Sequence, residues 1–323
     1  MRCEVITGEI FCLHNLPGHP ENRDRLRLAL SGVPRRVRRL GPVEASREDL
    51  ERVHRREYLT WLEGIAKGDC YIDFNTYVCE DSFRVAAHAA GSATAAAAEA
   101  IGGHSCFAMV RPPGHHAEPG HARGYCLLNN AAIAAAASLG SVDRVAIVDW
   151  DLHHGNGTQD IFYTSDRVLF CSVHQEDLFP GSGEIGETGS GAGRGYTLNA
   201  PLEAGSTIAD YRLVFEEVFC PAIEGFRPGL LLVSAGQDAL SDEPKGAMAL
   251  VPGDYATLTR LLMEASDLPP ALTLEGGYGP SHGLAIAAIF RALGGRGRED
   301  EPAGEPRRST REKVRILKKV LSR

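Results

Sequence analysis

The strongest constraint on this chain's fold is the alternation of short β-rich runs with longer helical segments. The runs cover residues 106–110, 145–149, 168–174, 230–234 and 271–275, and each passes into polar or glycine-containing chain. Helical stretches at 83–101, 130–139, 211–225 and 255–265 separate them. Such alternation predicts an α/β fold, a single unit with a central, mostly parallel β-sheet flanked by helices on both faces. Two helices are alanine-rich, around residues 93–100 and 131–137, which suits close packing of helix on sheet. The length of 323 residues is ordinary for one large α/β domain.

A hydrophobic fraction of 43% with 24% charged residues places the chain among soluble globular proteins. No run of about eighteen apolar residues predicts a membrane helix. Residues 1–18 carry Arg2, Glu4, Glu9 and His14, which breaks up any apolar signal segment, so a cytoplasmic location is expected. The eight cysteines contain no Cys-x-x-Cys pair, which speaks against a cysteine zinc site or a disulfide framework. Net charge is −8, unfavourable for general nucleic-acid binding. The exception is the tail: residues 307–323 hold eight basic residues and one acid, net +7, leaving the remainder at −15.

That tail follows a polar, Gly- and Pro-containing stretch at 294–308 that reads as a linker. Within residues 309–323, Val314, Ile316, Leu317, Val320 and Leu321 form an apolar stripe at helical spacing, opposite a basic face. Docking on the body of the protein or on a second subunit, as in a homo-oligomer, is the expected use; contact with DNA or membrane is the lesser one. The glycine-rich segment 181–195 leads into extended chain at 196–202 rather than opening a helix, so it reads as an irregular surface loop and not a phosphate cradle.

Chemistry concentrates where strands end. After the run at 145–149 comes Asp151-Leu152-His153-His154-Gly155-Asn156-Gly157. Asp151 and His153 alternate by two, so on extended chain their side chains point the same way. A carboxylate and an imidazole converging in this manner suit a borderline divalent metal, with zinc fitting best. Asp238, just past the run at 230–234, is a third plausible ligand, because ligands of open α/β sheets bind outside the carboxyl ends of strands. A single strand-end aspartate is more often a cap or loop residue; the constellation carries the inference.

Arg111-Pro112-Pro113-Gly114-His115-His116 supplies two adjacent histidines after a strand and a rigid turn. One can act as general base toward a metal-bound water while the other assists electrostatically. Asp149 and Asn156 are available to orient their far nitrogens. In Leu274-Glu275-Gly276-Gly277-Tyr278, two glycines permit close backbone approach and a tyrosine hydroxyl can donate to an oxyanion.

These blocks, in this order and spacing, resemble the zinc-dependent histone deacetylase family from about Cys12 to Leu293. The wording Asp151-Leu152-His153-His154-Gly155-Asn156-Gly157-Thr158-Gln159, with His19-Pro20-Glu21 and Arg25-Leu26 upstream, is similar to its class II and bacterial branch. That branch includes deacetylases of acetyl-lysine and acetylpolyamine amidohydrolases. The resemblance implies a zinc-dependent deacetylase domain over 1–293, hydrolysing the linear amide between an acyl group and an amine. It implies Asp151, His153 and Asp238 as the ligands of one catalytic zinc, His116 as general base and acid, and His115 as its electrostatic partner. Asp149 would bond to His115, Asn156 to His116. Tyr278 would polarise the scissile carbonyl, and the Gly124 carbonyl would meet the substrate N–H. Tyr125 and Phe179 would wall the acyl channel, with Asn75 at the rim. It further implies a potassium or sodium ion held by carbonyls of Asp149, Asp151 and His153 with Ser172, and a second near Phe162, Ser165, Val168 and Tyr196.

Two positions depart from the family text. Where a Ser-Ala-Gly-Phe-Asp motif is usual, the chain has Gln237 before Asp238; a buried amide there must find partners. Lys245 occupies a pocket-mouth position that is leucine or methionine in many members and glutamate in polyamine-selective ones. A lysine repels a cationic substrate, unless Asp242 or Glu243 neutralises it. Rival readings are weaker. An arginase-like ureohydrolase needs a second aspartate where Gly155 stands, and a silent acyl-lysine binder would be expected to lack one of the catalytic groups, all of which are filled.

Overall fold

The structure, a computed structural model, describes residues 3–295 and 304–321. Its strands are β1 (Cys3–Ile6), β2 (Arg38–Leu40), β3 (Cys70–Tyr71), β4 (Tyr77–Val78), β5 (Ser105–Ala108), β6 (Val145–Asp149), β7 (Val168–Gln175), β8 (Thr197–Leu202), β9 (Leu230–Ala235) and β10 (Ala271–Leu274). Eight of them form one parallel sheet in the order β2-β1-β5-β10-β9-β6-β7-β8. β3 and β4 pair separately as an antiparallel hairpin. The α/β expectation with a largely parallel sheet holds, and within the main sheet the pairing is parallel throughout.

The central strands are short and apolar along their whole length. β6 reads Val-Ala-Ile-Val-Asp and β9 Leu-Leu-Leu-Val-Ser-Ala, every residue buried. Parallel strands that are apolar on both sides need helices on both faces. The alanine-rich helices Ser82–Ile101 and Asn130–Ser138 pack on each other and on the sheet. A second set, Arg23–Leu30, Asp254–Ser266 and His282–Leu293, continues the cover through Cys220–Phe226. The segment predicted helical at 211–225 is Ile208–Val214 and Cys220–Phe226 joined by a π-helical turn, Phe215–Phe219.

From β6 the chain proceeds outward to β7 and β8, then returns to the other side of β6 as β9 and moves away to β10. The strand order therefore reverses between β6 and β9. At such a switch point the loops at the carboxyl ends diverge and leave a crevice. Asp149 ends β6, and Asp238 follows β9 by three residues.

The C-terminal helix is Arg308–Leu321, one residue earlier than its predicted start. It packs on the helix Ile208–Val214 and on β8, burying Val314 and Leu317. Thr310 Oγ1 donates to Asp210 at 2.7 Å, Lys313 pairs with Glu176, and Lys318 with Glu217 at 2.5 Å. The basic face thus meets acids of the body. Ile316 and Leu321 of the predicted stripe stay exposed. Residues 296–303 of the expected linker, and 322–323 of the expected helix, lie outside the described residues. Segment 181–195 is turns and irregular chain apart from one 3-10 turn, Gly191–Gly193, and all eight cysteines are free thiols. No described helix is long and apolar enough to cross a membrane.

The chain at residues 43–45 crosses the helix Ser82–Ile101 so closely that Gly91 has no room, an added Cβ lying 2.3 Å from Ala45 N and 2.4 Å from Val43 O. Gly91→Ala should therefore lower the urea midpoint, by the ~1–3 kcal/mol typical of overpacking. Gly64→Ala, in the helix Arg56–Ile65 with open space around it, should instead stabilise by up to about 1 kcal/mol. Urea unfolding followed by circular dichroism measures both, and equal midpoints for the two variants would refute the close approach.

Candidate active site

Past the end of β6 the chain bends at residues 151–153, with Asp149 and Asp151 buried at the crevice and Trp150 buried in the core. Each carboxylate accepts the backbone two residues on: Asp151 N donates to Asp149 Oδ1 at 3.1 Å and His153 N to Asp151 Oδ1 at 2.9 Å. Asp238 is tied to the same turn, accepting Leu152 N at 2.8 Å. His153 Nδ1 lies 3.3 Å from Asp151 Oδ1 and 3.2 Å from Asp238 Oδ2. The three residues predicted as ligands bring their donor atoms within 4.8 Å of one another.

Glycines make this approach sterically feasible. A Cβ on Gly236 would fall 2.1 Å from Asp151 Oδ2, and one on Gly276 2.3 Å from Asp238 Oδ2. Gly276 N also donates to Asp151 Oδ2 at 2.7 Å. A side chain at either position would push the carboxylates apart.

The histidine pair enters from the turn after β5. Arg111, fully buried, holds that turn by donating to the carbonyls of Phe11 and His14, at 2.7 and 2.8 Å. Glu275 accepts Gly114 N at 2.6 Å and His115 N at 3.2 Å, fixing the backbone that carries the histidines. His115 Nδ1 meets Asp149 Oδ2 at 2.9 Å, and His116 Nδ1 meets Asn156 Oδ1 at 2.8 Å. The rings lie 3.9 Å apart, yet their electrostatics diverge. Burial works against a charged His115, but Asp151 and Asp149 overcome it and hold its pKa well above the usual value. Burial, then the neighbouring His115 and His153, hold His116 well below it. The surroundings thus push the two adjacent rings in opposite directions.

On the opposite side, Tyr278 is positioned by a carboxylate and a guanidinium that the sequence reading did not single out. Glu243 accepts Tyr278 N and Gly279 N, at 2.8 and 3.0 Å. Arg25 donates to Gly277 O at 2.8 Å and to Glu275 O, and its guanidinium sits 4.8 Å over the Tyr278 ring. Arg25 is in turn paired with Glu21 at 2.7 Å, and Glu21 with Arg111 at 2.7 Å. Burial lifts the Tyr278 hydroxyl well above its ordinary pKa, so it stays a donor.

Gly124 and Tyr125 both adopt left-handed backbone, φ +57 and +68. A Cβ at Gly124 would lie 2.5 Å from the His116 ring, and Thr76 Oγ1 holds Tyr125 N at 3.0 Å. The backbone here passes against the histidine, which only glycine permits. Phe179 meets His116 edge-on at 5.0 Å.

These groups enclose a cavity of about 230 Å³, with His115, His116, Asp151, His153 and Asp238 at its base. Gly124, Tyr125, Phe179 and Tyr278 wall it; Asn75 and Lys245 line it as well, together with Phe74, an aromatic 81% exposed that the sequence reading passed over. Lys245 Nζ lies 4.5 Å over the Tyr125 ring and 5.6 Å over that of Tyr278. Asp242 and Glu243 do not neutralise it: they accept backbone N–H groups of Ser281 and of Tyr278 and Gly279. Gln237 is fully paired, donating to Ala235 O at 2.6 Å and accepting from His282 Nε2 at 2.8 Å. Ser172, expected beside a monovalent cation, places its hydroxyl 2.9 Å from His174 Nδ1. Around the second expected site, the Phe162 carbonyl accepts Ser165 N and the Tyr196 carbonyl accepts Phe170 N.

Glu275, Glu243, Arg25, Glu21, Arg111 and Phe74 escaped the sequence reading as site residues. Glu275 lay inside a motif block, but nothing in a linear sequence says that its carboxylate reaches back to Gly114.

Comparison with known proteins agrees with this geometry. Residues 19–293 match the family model of the histone deacetylase domain. The chain is 41% identical to a probable deacetylase of Archaeoglobus fulgidus, over 90% of this chain and 87% of that one. It is 36% identical to a histone deacetylase-like amidohydrolase of Pseudomonas aeruginosa, over 83% and 74%. The crystal structure of the HDA15 HD domain superposes with a TM-score of 0.92 at 33% identity, covering 99% of this chain and 95% of that one. This chain belongs to the histone deacetylase family.

Proposed function

We propose that this protein is a zinc-dependent deacylase that hydrolyses the amide between an acyl group and a primary amine. The observation that carries the reading is the pair of adjacent buried histidines, one bonded through Nδ1 to Asp149 and the other to Asn156, beside an aspartate–histidine–aspartate cluster at the base of a narrow cavity. The cluster suits zinc: two carboxylates and one imidazole make a donor set that zinc accepts and leave positions open. It also stabilises positive charge. Burial disfavours a charged His153, yet its hydrogen bonds to Asp151 and Asp238 lift it to about 9.

Zinc held there would supply Lewis acidity toward the attacking water and the substrate carbonyl. His116, neutral and anchored through Nδ1, has Nε2 free to take the proton of the attacking water and to return it to the leaving amine. His115, kept cationic by Asp149 and Asp151, offsets the negative charge that develops. Tyr278 donates its hydroxyl to the carbonyl oxygen as that oxygen becomes an oxyanion. The Gly124 carbonyl accepts the substrate N–H, Tyr125 and Phe179 exclude water from the acyl channel, and Asn75 accepts from substrate backbone at the rim. Potassium or sodium at the two expected positions would serve structure rather than chemistry.

An arginase-like alternative is disfavoured sterically as well as by sequence. A Cβ at Gly155 would lie 2.2 Å from Asp149 Oδ2, so no second aspartate fits there.

Purified protein should contain one zinc per chain, and Asp151→Ala or Asp238→Ala should remove it; unchanged metal content in both variants would refute the ligand set. Against acylated substrates, His116→Ala should cost more turnover than His115→Ala, since only His116 transfers protons. Tyr278→Phe should lower turnover by about 10²–10³-fold, the scale for losing an oxyanion donor. Near-wild-type turnover in that variant would remove the oxyanion role.

Lys245 bears on the substrate. Like charges about 5 Å apart cost roughly 3 kcal/mol at an effective dielectric of about 20, and less at this solvent-facing position. Acetylated spermidine or putrescine should therefore be poor substrates, and neutral or carboxylate-bearing acylamines better ones. Lys245→Glu should reverse that order in kcat/KM, Lys245→Leu should fall between, and added salt should shrink the contrast. Should the wild type prefer acetylpolyamines, or Lys245→Glu leave the ranking intact, the lysine has no part in selectivity.

A further inference from the structure

His116 can act as a base only if its proton sits on Nδ1, leaving the lone pair on Nε2. The Asn156 amide sets that tautomer, and an amide, unlike a carboxylate, has a right and a wrong way round. With Oδ1 toward the ring it accepts Nδ1–H; turned over, its NH₂ would face Nδ1 and drive the proton to Nε2. What fixes the orientation is therefore part of how the base works. Asn156 Nδ2 donates to Glu118 Oε1 at 2.9 Å, with the His116 carbonyl as a second acceptor at 3.5 Å. A turned amide would set its carbonyl oxygen against the Glu118 carboxylate, an unfavourable contact.

Glu118 is well placed for this task. Its N–H donates to His121 O at 2.9 Å, and its carbonyl meets His54 Nδ1 at 3.0 Å, so its backbone is held from both sides. Its side chain is 30% exposed and is steadied by Arg123 at 3.1 Å. It approaches Asn156 from a separate open groove of about 410 Å³ and does not line the substrate cavity.

We propose that Glu118 is a positioning residue that locks the Asn156 amide, and through it the Nδ1–H tautomer of His116. The proposal rests on His116 being the base. It assigns Glu118 an effect on turnover and not on substrate binding, and it requires an acceptor oxygen at 118 rather than a charge.

The test reads the tautomer and the kinetics separately. Long-range ¹H–¹⁵N correlation of the imidazoles, with His116 assigned by its loss in His116→Gln, should show a single Nδ1–H tautomer in the wild type. Glu118→Ala should give a mixture, and Glu118→Gln, which keeps an acceptor oxygen, should restore the single form. On the best acylated substrate, Glu118→Ala should lower kcat about tenfold, the scale for losing a partner that orients an active-site imidazole, with KM unchanged and Glu118→Gln close to wild type. Asn156→Asp supplies the decisive background, because a carboxylate needs no orienting and meets Glu118 as a like charge. There Glu118→Ala should raise kcat. A pure Nδ1–H tautomer in Glu118→Ala, or a loss of kcat from Glu118→Ala in both backgrounds, overturns the proposal. If the wild type hydrolyses no acylated amine, the deacylase reading falls, and the tautomer measurement still decides the role of Glu118.

Discussion

Four carboxylates, those of Asp149, Asp151, Asp238 and Glu275, are buried in one crevice at the carboxyl edge of the sheet. Much of the structure can be understood as what allows them to remain there. A buried carboxylate without partners costs several kcal/mol, in order of magnitude, and neighbouring ones repel. Here each receives donors: Asp149 from Asp151 N and His115, Asp151 from His153 N and Gly276 N, Asp238 from Leu152 N, Glu275 from Gly114 N and His115 N. Burial above all, opposed by His115 and reinforced by repulsion from Asp149 and Asp151, lifts Glu275 to about 7. Asp151 and Asp149 in turn hold the His115 imidazole above its usual pKa, against the effect of burial.

The same constraint explains why remote segments converge. Glu21, Arg25 and Arg111 form a buried charged chain linking the first helix, the turn that carries the histidines and the Gly277–Tyr278 turn. Buried ion pairs add little net stability, but they select one arrangement of the loops they join. Most of the candidate site residues, Asp149 in β6 and Asn156 at a helix start apart, stand on turns, and turns need such braces to hold a geometry. Glycine serves the same end by subtraction: at Gly124, Gly155, Gly236 and Gly276 a methyl group would collide with a site side chain.

The cavity mouth differs in kind from its base. At the base the carboxylates and imidazoles are held by hydrogen bonds, with Glu275 Oε1 and His116 Nε2 left over. At the mouth, Phe74 stands largely in solvent and Lys245 is exposed but partly desolvated, resting on two aromatic rings. The base is thus braced by buried partners, while the residues at the mouth are ones whose replacement disturbs little else.

Much of this was legible in the sequence by itself. Apolar runs such as 145–149 and 230–234, set between long helical stretches, can bury both faces only in a parallel sheet, so fold class followed from pattern. Asp151 and His153 could be paired because extended chain places alternate residues on one side, and adjacent histidines after a strand pointed to chemistry because buried imidazoles need partners. Short strands such as Arg38–Leu40, exposed and polar, carried no such pattern and went unread. Nor could spacing foretell contacts between residues far apart in the chain. That Glu275 would reach Gly114, that Glu243 would hold Tyr278 rather than neutralise Lys245, and that Gln237 would find His282 were settled only when the sheet was assembled. The physical reason is range: local pattern determines elements and the direction of side chains upon them, whereas the partner of a buried polar group depends on which loops the strand order brings to the same edge.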